Sequence, residues 1–138
     1  MVIPYSWPEE LKVLKGLLAG GITLGVAAVF PEALVLAFFL AVLGLVVGVY
    51  PGIAMAEPVK GRPALEWTAA VAFLGLGLVG LWVSPLFLAG AWLLHGLWSL
   101  LHRFTGLGDG APGGYPDFCL SFDLVMGGFV AYMWAVGV

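Results

Sequence analysis

Two apolar segments toward the C-terminal end carry the side chains that could do chemistry. His95, Ser99 and His102 stand on one, Cys119 and Asp123 on the next, and a glycine-rich connection joins them. The first three follow an i, i+4, i+7 spacing, which puts them on one stripe of a helix. Cys119, Asp123 and Gly127 follow i, i+4, i+8 on the helix after it, where Gly127 would let the two helices close. If the helices run antiparallel from a common end, a rise of about 1.5 Å per residue puts His95 roughly 12 Å from Arg103 and Asp123 roughly 9 Å from Asp117. Matched depth therefore pairs His95 with Asp123, and His102 with Cys119 or Asp117.

Several chemistries use such groups. A His-Asp pair can relay a proton or hold a small polar ligand. A metal centre, for which His95 and Asp123 are the candidates, needs ligands converging within about 2.0–2.3 Å of one ion. His95 and His102 are separated by about 10.5 Å along a helix axis, too far for one ion to take both. A nucleophile relay through Ser99 or Cys119 has no elbow motif to support it. Each residue also has a plain reading: His102 and Arg103 as caps of a helix C-terminus, Cys119 as a small packing residue, Ser99 bonded back to its own helix.

The elements that must position these groups are set by composition. With 62% hydrophobic and 9% charged residues, and a mean hydropathy of +1.10, the chain cannot cover a soluble surface, which needs about a quarter charged residues. Its 138 residues leave room for about five spans of roughly 20 residues. Uninterrupted apolar runs satisfy their backbone in lipid only as helices, so the expected class is an all-α integral membrane protein. Of the charged residues, Asp123 alone lies well inside a predicted span. A carboxylate there costs on the order of 3 kcal/mol and normally has a partner. No basic cluster points to nucleic acid or to anionic headgroups, and a single cysteine excludes an internal disulfide.

In chain order, residues 1–10 read as an interfacial lead with Tyr5 and Trp7 as anchors. The predicted spans cover about 11–30, 33–50, 64–83, 85–103 and 117–138, with tight turns at Pro31 and at Ser84-Pro85 and loops over 51–63 and 105–116. Glu66 and Trp67 open the third span at an interface. Gly16/Gly20, Gly21/Gly25 and Gly44/Gly48 have the GxxxG spacing of close helix packing, within the chain or between copies as a homo-oligomer. All basic residues (Lys12, Lys15, Lys60, Arg62, Arg103) fall at one set of span ends, which makes the N-terminus cytoplasmic and the C-terminus external. Laying Pro31 on Pro85 also aligns Gly21 with Gly75, Val29 with Val83 and Leu40 with Leu94, a faint parallel repeat of two helical hairpins.

The run AWLLHGLWSLLHR, the glycine-rich loop and PDFCLSFD together resemble an uncharacterised family of small bacterial integral membrane proteins, the DUF6010-like family. Trp92, Leu93, Leu94 and His95 match its first block, Trp98 and His102 its second, and Pro116, Cys119 and Asp123 its third. Where the family pattern carries Asp and a second His, this chain has Ser99 and Arg103, so the array H-x3-D-x2-H is not formed. The resemblance covers the last third of the chain, implies a multi-pass protein of the bacterial inner membrane, and brings no function with it. Three readings stand open. One is a binding or transport-type protein with a His95-Asp123 site open to the cytoplasm. The second is a membrane-embedded metal-dependent enzyme acting on a lipid or other apolar substrate through His95, His102, Cys119 and Asp123. The third is a polar clamp that only fastens helices.

Overall fold

A computed structural model describes residues 8–56, 62–106 and 114–137. These form α1 (Glu9–Ala27), α2 (Glu32–Val47), α3 (Val49–Ala56), α4 (Pro63–Trp82), α5 (Pro85–Thr105) and α6 (Tyr115–Val136), with no strand among the described residues. The chain is an all-α protein. Among the described residues four helical stretches are long and apolar enough to cross a membrane: Glu32–Ala56, Pro63–Trp82, Pro85–Thr105 and Tyr115–Val136.

That count is four where the sequence predicts five. The first predicted span forms a helix, but Glu9, Glu10, Lys12 and Lys15 occupy its first two turns. Residues 16–27 alone are uncharged, about 18 Å of helix against a hydrocarbon core of about 30 Å.

The second span also differs, because the helix does not stop at Tyr50. It breaks at Gly48 and resumes as α3, which carries the chain through Pro51 to Ala56. Proline supplies no N–H and crowds the preceding turn, so it ends one helix and is accommodated in the first turn of the next. The predicted loop over 51–63 is thus helical to Ala56, and residues 57–61 lie outside the described residues, as do 1–7 of the predicted lead and 107–113 of the second loop.

The core is built on α5 and α6, which pack along each other, with α4 on the far side of α5 and α1 along α6. Leu88, Ala91, Trp92, His95, Ser99 and His102 form the buried stripe of α5, while Leu93, Leu94, Leu97 and Leu101 face outward. Gly127 brings α6 onto α5, since a Cβ there would come within 3.1 Å of the Ala89 carbonyl oxygen. At the end where α4 meets α5 the interior is wholly apolar, with Phe39, Leu43, Leu88, Met126 and Val130 fully buried. Ser84 caps α5 by accepting from the Leu86 N–H. The two hairpins of the predicted repeat pack differently: α4 lies along α5, whereas α1 leaves α2 after the Pro31 turn and lies along α6.

Of the glycine pairs, only Gly16/Gly20 makes a close helix approach through both members. A Cβ at Gly16 would collide with the Phe118 carbonyl oxygen, and one at Gly20 would stand 2.8 Å from Val125. Gly21 and Gly25 face open space. Gly16→Ala is therefore expected to push α1 off α6 at a cost of about 1–3 kcal/mol. Gly21→Ala is expected to leave thermal unfolding unchanged; equal effects of the two in a detergent melt would contradict this packing.

Candidate functional site

Two polar clusters occupy the end of the bundle where α5 stops and α6 begins. The outer one is held by α4 and α5. Glu66, on the first turns of α4, is 2% exposed. Its Oε1 is 2.7 Å from His102 Nε2, and its Oε2 accepts from Trp98 Nε1 at 3.1 Å. His102 Nδ1 faces the Trp98 carbonyl oxygen at 2.8 Å, so that nitrogen carries its hydrogen. With one more proton between Nε2 and Oε1 every polar atom has a partner and the pair is neutral overall, whichever atom the proton sits on.

This overturns the expected partners of His102. It meets neither Cys119 nor Asp117; Asp117, in the first turn of α6, pairs with Arg103. Depth matching along α5 and α6 ignored α4, the other neighbour of α5. The signal was in the sequence: Glu66 and His102 stand 19 and 17 residues on either side of Pro85, and a tight turn there puts them at one level of an antiparallel pair.

One level deeper, His95 Nδ1 lies 2.8 Å from Asp123 Oδ2. His95 is 1% exposed and Asp123 is fully buried. Gly96 makes room for the carboxylate, since a Cβ at that position would stand 3.2 Å from Asp123 Cβ. The His95 ring is packed edge-on to Phe73 at 5.6 Å and against Tyr50 at 5.9 Å between centroids. Around it the polar atoms are unsatisfied: His95 Nε2, Asp123 Oδ1, Ser99 Oγ and Tyr50 Oη are all buried without a hydrogen-bond partner.

Ser99 connects these groups. Its hydroxyl lies near the Tyr50 phenol and the Cys119 thiol without a hydrogen bond to either, and Cys119 in turn lies near Tyr115. Tyr50 stacks on the His102 ring at 4.2 Å, so the two clusters share a wall. The polar file ends one turn beyond His95, at the buried and unpartnered Trp92 Nε1. Past that point the interior is the apolar packing of Leu88, Met126 and Val130.

Of the sequence candidates, the structure brings His95, Ser99, Cys119 and Asp123 into one cluster and assigns His102 to the other. Tyr50 and Glu66 were missed. Tyr50 is the last residue of predicted span two, and the break at Gly48 and Pro51 turns it inward, where it is 3% exposed. Among the described residues no three His, Cys, Asp or Glu side chains are gathered as a metal ion would require. Against known protein families, curated proteins and solved structures, the chain matches none.

Proposed function

We propose that this chain is a binding or transport-type membrane protein whose buried His95-Asp123 pair takes up and releases a proton together with small polar species. One contrast carries the reading. The Glu66-His102-Trp98 cluster satisfies all its polar atoms, while the His95-Asp123 cluster leaves four buried polar atoms open. Buried polar groups without partners cost about 1–3 kcal/mol each, so a cluster of them marks a place where something else binds. The first cluster fastens helices; the second receives an occupant.

Access is from the end where α5 stops and α6 begins, because the polar file runs that way and the apolar layer closes the other. The basic residues that the structure describes collect at that same end, with Lys12 against Gly114 and Arg103 against Asp117, and the positive-inside rule makes it cytoplasmic. In this reading α1 is a fifth bundle member, its Lys12 and Lys15 stems reaching back to the interface. The outward face of Gly21 and Gly25 is then free for lipid or a second copy. In this reading the protein resides in a bacterial inner membrane.

The test is a pH titration of the protein in detergent, labelled with 15N-histidine and 13C-aspartate. His95 and Asp123 are expected to change protonation together, His102 to stay constant over the same range, and the His95 response to be lost in Asp123→Asn. If neither residue titrates in the folded wild type, the pair is a clamp and the reading fails.

A further inference from the structure

The protons and charges of the two clusters identify what occupies the inner one. His102 and Glu66 share a proton and sum to zero, and Arg103 is neutralised by Asp117. In the inner cluster one hydrogen lies between His95 Nδ1 and Asp123 Oδ2, and the pair carries a net charge of −1 unless a second proton sits on it. The groups facing the pair supply no compensating cation among the described residues. They are Tyr50 of α3, Glu66 of α4 through its neutral pair with His102, and Tyr115 and Cys119 of α6. From α1, Lys12 lies beside Gly114 at the start of α6 and Lys15 is exposed. An isolated buried charge costs several kcal/mol, so the site is stable only with one more positive charge.

The open atoms show how that charge is held. In this state His95 Nε2 presents a lone pair, Asp123 Oδ1 a full anionic oxygen, and Ser99 Oγ and Tyr50 Oη oxygens that can accept. Phe73 and Tyr50 pack against the imidazole. We infer that the inner cluster is an exchange site for a small monovalent cation and a proton. Either a second proton sits on His95 Nε2 or Asp123 Oδ1, or a sodium-, potassium- or ammonium-sized ion sits against Asp123 Oδ1, Ser99 and Tyr50. One positive charge enters as the other leaves, and the site stays neutral. This rests on the proposed proton-binding role and adds the species that competes for it.

The experiment repeats the His95 and Asp123 titration in chlorides of sodium, potassium and ammonium, with N-methylglucamine chloride holding ionic strength constant. One of the three ions is expected to move the half-point to lower pH by about one unit per tenfold rise in concentration, the slope of one-for-one exchange. Ser99→Ala, which removes an oxygen ligand but neither titrating group, is expected to weaken that response. A half-point that moves no further than in N-methylglucamine would overturn the cation site and leave the proton site standing. A wild type in which nothing titrates would remove both.

Discussion

Glu66→Ala is expected to destabilise the protein by about 3–5 kcal/mol, the cost of removing one partner of a buried charge pair. The truncation deletes both acceptors of a closed set. His102 Nε2 loses its contact at 2.7 Å and Trp98 Nε1 loses its contact at 3.1 Å, and neither can turn to water because the Glu66 side chain lies 2% exposed beneath α5. His102 is still fixed by its Nδ1 contact to the Trp98 carbonyl oxygen, so the freed nitrogen stays buried. Glu66→Gln keeps one acceptor oxygen and an amide that can donate to His102 Nε2, so its loss should be much smaller. Thermal unfolding in detergent measures the difference. A Glu66→Ala melt matching the wild type would mean that the outer cluster opens to water and is no clamp.

The same residue shows where the sequence was readable. Helical class, the stripe through His95, Ser99 and His102, and the facing stripe through Cys119 and Asp123 follow from spacing alone, because side-chain direction on a helix is fixed by its period. Glu66 and Tyr50 did not follow, because both stand where a span is expected to meet water and only a third helix makes those positions interior. The partner of a polar residue is a property of which helices are neighbours: chain order gives α5 two, and spacing along α5 and α6 alone does not say that His102 turns toward α4. The count of crossing-length helices, four among the described residues against five predicted, differs for another reason. Apolar character over residues 16–30 is strong, but the charges of Glu9, Glu10, Lys12 and Lys15 leave α1 short of a crossing length.

Replacing the inner pair by apolar residues of similar shape, His95→Leu with Asp123→Leu, is expected to leave the protein as stable as the wild type or more so. Buried ion pairs exchanged for well-packed hydrophobic groups commonly gain about 1–4 kcal/mol. This pair is a favourable case, since His95 Nε2 and Asp123 Oδ1 are unsatisfied. Either single change should instead cost stability, because it strands the other group in the core, so the cycle of singles and double is strongly non-additive. Proton uptake at the site should vanish in the double variant. A variant that is sturdier yet unable to take up a proton would show that the wild-type chain carries the pair at a cost to its own stability. Such a cost has a purpose only if the site is used. A double variant that unfolds would instead make His95-Asp123 a fastening like Glu66-His102, and the open atoms around it would lose their meaning as a binding site.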